Sequence, residues 1–207
     1  MVERSSVPGE NPTVYLFDLD GTLTRQELLP LIAQRAGVSG MAELTRRTVA
    51  GEIPFRESFR RRVEMLADVP VELVAEVVLG VPVHEQLMAW VLERREHCRV
   101  VTGNLDCWVG PWLRHWGLEG YTSRSRVEDG RVSLEVGGIL EKASVLAEFD
   151  GYRTAMVGDG ANDAELVRDA DLGIAAQLVH TAPEVLIECA DVIVNDEETL
   201  CRILSRW

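Results

Sequence analysis

The sequence predicts an α/β protein, a doubly wound parallel sheet with a small helical cap inserted after its first strand. Three observations carry this prediction. From residue 98 onward, short apolar runs alternate with helical patterns, as strands and crossover helices do around a parallel sheet. The runs are nearly continuous in apolar residues, the mark of strands buried on both faces. Residues 25–84 break the alternation with successive helical patterns separated by Gly or Pro joints.

Taken in order, "TVYLFD" (13–18) reads as the first strand, being short, aromatic and β-branched and closed by Gly21. "PLIAQRAG", "GMAELTRRTVAGEI", "FRESFRRRVEMLADV" and "VELVAEVVLG" then read as the helices of the cap. Residues 98–104, 152–160, 170–175 and 190–196 read as further strands, and 105–116, 141–149, 162–169, 182–189 and 197–205 as helices. "VEDGRVSL" (127–134) is a hairpin pattern turning at Asp129-Gly130. The division expected is a core of 12–24 and 85–207, a cap of 25–84 and a flexible stretch at 1–11. Trp108, Trp112 and Trp116 recur at i, i+4 and i+8 and read as core. His84, His97, His115 and His180 have no metal-ligand spacing and read as isolated, structural residues.

Composition narrows the partners. The net charge of −13 argues against nucleic acid or an anionic membrane, though not against a small anionic substrate met by a metal and a few placed cations. Four cysteines without a CxxC pair suggest neither a zinc site nor a disulfide framework. The first residues lack the apolar core of a secretion signal and no stretch is long enough to span a bilayer, so a cytoplasmic protein, monomer or homodimer, is expected. Of the 21 basic residues only one, Lys142, is a lysine. A flexible point charge suits a crowded anionic centre better than a planar guanidinium, which makes that position a candidate.

Two stretches carry the chemistry. In "VYLFDLDGT" the strand ends in Asp18 and Asp20, which share a side because successive strand side chains alternate. Two carboxylates so close repel unless a cation, a shared proton or a chemical task accompanies them. Taken alone, the stretch reads equally well as a solvated turn. "VGDGAND" (157–163) sets Asp159 and Asp163 four apart at a helix start, and lacks the alternating ligands of a helix–loop–helix calcium site. In open α/β sheets ligands bind beyond the carboxyl ends of the strands, where Asp18-Leu19-Asp20, Thr102-Gly103-Asn104 and Gly158-Asp159-Gly160 should converge. Four carboxylates there (Asp18, Asp20, Asp159 and Asp163) suit Mg²⁺, a hard cation that takes oxygen ligands.

Together, "DLDGT", Thr102 after "RVV", Lys142 and "GDGAND" resemble the four motifs of the haloacid dehalogenase (HAD) superfamily, with its Rossmann-like core. The helical insertion, the segment "GEIPFRESFRRRVEMLADVP" and Glu27, nine residues after Asp18, resemble its phosphoserine-phosphatase-like branch with a C1-type cap. That resemblance implies a Mg²⁺-dependent phosphomonoester hydrolase working through an aspartyl phosphate. Asp18 would be the nucleophile and Asp20 the general acid and base. Thr102, the Gly103 amide and Lys142 would bind the phosphate. Asp18, Asp159 and the Asp20 carbonyl would hold the metal, with Asp163 supporting its shell. Alternatives of the same fold are a phosphatase for another small phosphomonoester, a phosphotransferase or mutase, and a non-catalytic binding module.

Specificity should come from the cap. Phe55, Phe59, Arg62, Val63 and Leu66 share one helical stripe, so Arg62 places a guanidinium on an apolar face. The resemblance implies that Arg62 binds a substrate carboxylate, that Phe55 lines the pocket, and that Glu27 holds an ammonium. The alternatives are an arginine that is paired or snorkelling, and a Thr24–Glu27 capping box. Pro30 disfavours helix at Leu29, so the helix is expected to start at Pro30 with Glu27 before it. A small phosphorylated metabolite, phosphoserine first, is the expected substrate. Two positions depart from the branch: Gly21 stands where Ser is usual, and Asn104 replaces the second Gly of a Gly-Gly pair. A side chain at 104 would redecorate the pocket beside the phosphate, and Asn162 would touch substrate or shape its own turn.

Overall fold

The computed structural model describes residues 12–207, and the expectation for 1–11 lies outside the described residues. The strands are β1 (Thr13–Phe17), β2 (Cys98–Leu105), β3 (Glu119–Ser123), β4 (Ser125–Glu128), β5 (Arg131–Leu134), β6 (Arg153–Gly158), β7 (Leu172–Ala176) and β8 (Val192–Val194). Six of them form one sheet in the order β3-β2-β1-β6-β7-β8, with every neighbouring pair parallel. The order reverses direction at β1, between β2 and β6, which creates the crevice where such sheets hold ligands.

Period-two alternation divides the strands between two apolar layers. Phe17, Val100 and Val157 join Trp90, Trp108 and Trp112 on one face, under α5 (Glu85–Glu93), α6 (Asp106–Trp116) and α9 (Glu197–Leu204). Val14, Leu16 and Met156 join Val145, Leu166, Val167 and Leu186 on the other, under a 3₁₀ run (Lys142–Phe149), α7 (Ala164–Asp169) and α8 (Glu184–Cys189). Trp108 and Trp112 are fully buried and Trp116 half-buried against them, as the helical spacing predicts.

The inserted helices are α1 (Leu28–Ala36), α2 (Met41–Val49), α3 (Phe55–Met65) and α4 (Val71–Leu79). Pro54 and Pro70 immediately precede α3 and α4, and Gly37 closes α1 in the left-handed conformation at φ 73°. The insertion leaves and returns at one neck, where Thr24 and Val83 form an isolated antiparallel bridge. Its apolar residues Leu28, Ile32, Phe59, Leu66 and Val74 run continuously into the sheet's larger apolar layer.

Several details differ from the sequence reading. α1 starts at Leu28, two residues before Pro30. Proline is tolerated there because the first four helical N–H groups have no intrahelical acceptor to lose. The 141–149 helix is a 3₁₀ run, and α5 is a helix that the sequence reading leaves unassigned. β3, an edge strand of sequence EGYTS, is too polar and half-exposed to show an apolar run. The hairpin turns with Asp129 at φ 50° and Gly130 at φ 79°, the positive pair that a two-residue I′ turn requires. It lies within 85–207 yet packs on the insertion: Val132 N–H donates to Ala67 O at 2.8 Å, and Arg131 pairs with Glu64 and Asp68. No helix among the described residues is long and apolar enough to cross a membrane.

Candidate active site

The carboxyl ends of β1, β2 and β6 lie side by side, because Phe17 pairs with both Val100 and Val157. Asp18 follows β1 directly and its N–H donates to Val157 O at 2.9 Å. One pocket is lined by Asp18 and Asp20, by Thr102, Gly103 and Asn104 of β2, and by Asp159, Gly160 and Asn162 after β6. Glu27, Phe55 and Arg62 line the same pocket from the insertion. Phe55 lies on the β2 end so closely that a Cβ at Gly103 would stand 2.2 Å from its Cζ. A side chain at 103 would have to push the Phe55 ring aside.

Lys142 and Asp163 stand behind Asp18. The Lys142 ammonium donates to Asp18 Oδ1 and Asp163 Oδ1, each at 2.6 Å, and all three side chains are buried. Asp163 turns its second oxygen to its own loop, accepting the N–H groups of Asp159 at 3.2 Å and Gly160 at 3.0 Å. The lysine thus ties the 3₁₀ run to the ends of β1 and β6.

Asp20 is held on both oxygens. Oδ1 accepts the Leu28 N–H at 2.7 Å, at the start of α1, and Oδ2 accepts Asn104 Nδ2–H. Glu27 precedes α1 without capping it, and Thr24 Oγ1 donates to Leu19 O and Gln26 O, so the Thr24–Glu27 capping box does not form. Arg62 is 5% exposed, with its guanidinium carbon 5.7 Å and 5.6 Å from the ring centres of Phe55 and Phe59. Arg60 and Arg61, on the other side of the helix, are exposed. The Nε of Arg62 has no hydrogen-bond partner.

Buried carboxylates in this number disturb one another's ionisation. Burial, and then repulsion from Asp163, push the Asp18 carboxyl well above its usual range against the pull of Lys142. Burial is also the first cause raising Asp20 and Asp163. Glu27 is pushed well up by burial and then by Asp20 and Asp159. Burial works against the Lys142 charge, but Asp163 and Asp18 outweigh it and raise its pKa. Burial lowers that of Arg62 against the attraction of Glu27 and Asp20.

This donor set fits a hard divalent cation. One oxygen each of Asp18, Asp159 and Asp163 lie within 4.8 Å of one another, and the buried Asp159 Oδ2 has no hydrogen-bond partner. Gly21 is part of the same construction. At φ 71° it bears no side chain, and a Cβ there would stand 1.9 Å from Asp159 Oδ2. A serine at this position would therefore have to displace Asp159.

His180 is the site residue that the sequence reading missed. Its Nε2 lies 2.8 Å from Asp159 Oδ2 in an ion pair not aligned as a hydrogen bond, and its Nδ1 is 3.1 Å from Thr181 O. Asp159, working against burial, pushes its pKa up to about 9. Ligand-type atoms of Glu27, Asp159 and His180 also lie within 4.8 Å of one another. The available signal was position: residue 180 follows the carboxyl end of β7, where ligands gather. His84 is not isolated either, since its Nδ1 lies 3.0 Å from Glu197 Oε1.

Comparison with known proteins agrees with this arrangement. Residues 15–168 match the haloacid dehalogenase-like hydrolases. A phosphoserine phosphatase of Methanocaldococcus jannaschii is 30% identical over 88% of this chain and 92% of its own length. One from Archaeoglobus fulgidus is also 30% identical over 88% of this chain, which spans 56% of that longer protein. A solved structure described as a phospho-aspartyl intermediate analogue of phosphoserine phosphatase superposes with a TM-score of 0.77 at 29% identity. That match covers 95% of this chain and 99% of the other. A shared sheet, shared motifs and a match over most of the chain place it in one family: it is a haloacid dehalogenase-like hydrolase, a phosphoric monoester hydrolase of the phosphoserine-phosphatase-like kind.

Proposed function

We propose that this enzyme hydrolyses the phosphate ester of a small amino acid, phosphoserine first, through an aspartyl phosphate on Asp18. The observation that carries the substrate is the pairing of Arg62 and Glu27 across one pocket. A guanidinium buried on two phenyl rings with its Nε unpaired is costly unless an anion completes it. Glu27, half-buried nearby and pushed towards protonation, is relieved by an arriving ammonium. A molecule bearing both a carboxylate and an ammonium satisfies the two at once. The phosphoserine phosphatases that resemble the chain support the same choice.

Lys142 occupies Asp18 Oδ1, so Oδ2 is the oxygen that attacks phosphorus. As the new O–P bond forms, the ester P–O bond breaks and Asp20 gives its proton to the departing oxygen. Burial raises the Asp20 pKa and so favours the protonated form that this step needs. Water then attacks the aspartyl phosphate and gives a proton to Asp20. Phosphate leaves, and the Asp18 carboxylate is restored. Thr102, the Gly103 N–H and Lys142 bind the phosphoryl oxygens as charge develops. Asn162 lines the pocket beside them. Asp18, Asp159 and the Asp20 carbonyl, with Asp163 behind, would hold Mg²⁺, which supplies the positive charge that lets a carboxylate approach a phosphate dianion.

Arg62→Ala tests the substrate. Its KM for L-phosphoserine should rise about 10- to 100-fold, the loss of one charged hydrogen-bond pair. Its KM for an uncharged aryl phosphate should change far less. Equal increases for both substrates would make Arg62 a packing residue and remove the amino-acid reading.

A further inference from the structure

We infer that Asn104 is a positioning residue for Asp20, and that it sets how steeply the reaction depends on the leaving group. The inference rests on the role proposed above for Asp20. Asn104 is 6% exposed, and its Nδ2 donates both to Asp20 Oδ2 and, at 3.1 Å, to Thr102 Oγ1. Its own N–H donates to the same Thr102 oxygen at 3.2 Å, so the amide is fixed before it reaches Asp20. The other oxygen of Asp20 takes the Leu28 N–H from the insertion.

Each half of the Asp20 carboxyl therefore has its own donor, one from β2 and one from α1. The last torsion of an aspartate is soft. A single contact at Oδ1 would leave the carboxyl free to swing about that oxygen, and the second contact fixes its plane. The chemistry of the second donor matters too. An amide NH₂ group carries no charge to compete with the reacting phosphate. It also cannot accept the proton of the acid, so that proton remains for the departing ester oxygen.

The consequence appears in the first half of the reaction, where the Asp18–phosphorus bond forms, the ester bond breaks and the Asp20 proton moves to the leaving oxygen. A serine alkoxide needs that proton as it departs, whereas an activated phenolate departs almost without it. Loosening Asp20 should therefore penalise poor leaving groups selectively.

The test measures kcat/KM with Mg²⁺ for the wild type, Asn104→Ala, Asn104→Leu and Asp20→Asn, on aryl phosphates of graded leaving-group pKa and on L-phosphoserine. The ratio kcat/KM reports transfer to Asp18 and not the later hydrolysis. Leucine keeps the branched shape of asparagine without its donor, at a larger volume, and alanine leaves space instead, so a loss common to both variants separates positioning from a collapsed or overfilled pocket. Both Asn104 variants should lose about 10²-fold on the least activated esters, the cost of an acid displaced by about 1 Å. They should lose only a few-fold on the most activated aryl ester, which also shows that the site is folded. Loss that is uniform along the series, or no loss, overturns the inference. Asp20→Asn separates the two readings. A steep series for Asp20→Asn with a flat one for the Asn104 variants removes the role of Asn104 alone. An Asp20→Asn series parallel to the wild type removes the general acid as well.

Discussion

Asp18→Asn abolishes phosphate release, by roughly 10⁶-fold on the scale seen when an enzyme loses its nucleophile, and leaves the fold in place. The side chain is nearly isosteric, and the Asp18 backbone N–H keeps its bond to Val157 O. An amide oxygen, unlike a carboxylate, cannot displace an alkoxide from phosphorus. The substitution also removes one charge from a site where burial pushes Asp18, Asp20 and Asp163 above the usual carboxylate range, so the metal-free variant should melt no lower than the wild type. Phosphate assays with a thermal scan on the same sample check both halves. Retained turnover within about tenfold of wild type would remove Asp18 from the reaction.

Lys142→Met has the largest expected effect on stability. The ammonium is the partner of two buried carboxylates at 2.6 Å, and removing one member of a buried ion pair typically costs about 3–5 kcal/mol. For a chain of this size that corresponds to a fall in Tm on the order of 10 °C. Lys142→Arg should not restore the wild type, because a planar fork cannot take the place of a point charge inside a sealed site. The sign of the pH dependence follows from the raised carboxyls. Groups whose folded pKa lies above the unfolded value stabilise the fold at low pH and lose that contribution as pH rises through the folded pKa. The Met variant strands Asp18 and Asp163 still further in that direction. Its deficit against the wild type should therefore be smaller near pH 5 than near pH 8, as read from melting curves at both. A deficit independent of pH would mean that the lysine acts by packing alone.

Local patterns made part of this site legible in advance. Asp18 and Asp20 stood out because a strand has period two and a parallel sheet collects ligands at its carboxyl ends. Lys142 stood out because it is the only lysine among 21 basic residues. Arg62 stood out because its neighbours along the helix place it on an apolar stripe. What escaped was set by contacts between elements distant in sequence. Asn104 reaches Asp20 across 84 positions, and no local rule shows that an asparagine in the second motif would hold that carboxyl and not face only the substrate. His180 meets Asp159 from a different loop, with no metal-ligand spacing to mark it. α1 began earlier than Pro30 suggested, with Asp20 Oδ1 accepting its first N–H. The hairpin was visible from Asp129-Gly130, but its place on α3 depended on Val132 meeting Ala67, which the hairpin's own pattern does not contain.

The most direct test of the account is phosphate release from L-phosphoserine, with and without Mg²⁺, beside a panel of other small phosphomonoesters and with Asp18→Asn as the blank. Turnover should depend on Mg²⁺ and favour L-phosphoserine over phosphates lacking either the carboxylate or the ammonium, with none from the blank. Turnover of other esters with phosphoserine refused would contradict the roles given to Arg62 and Glu27.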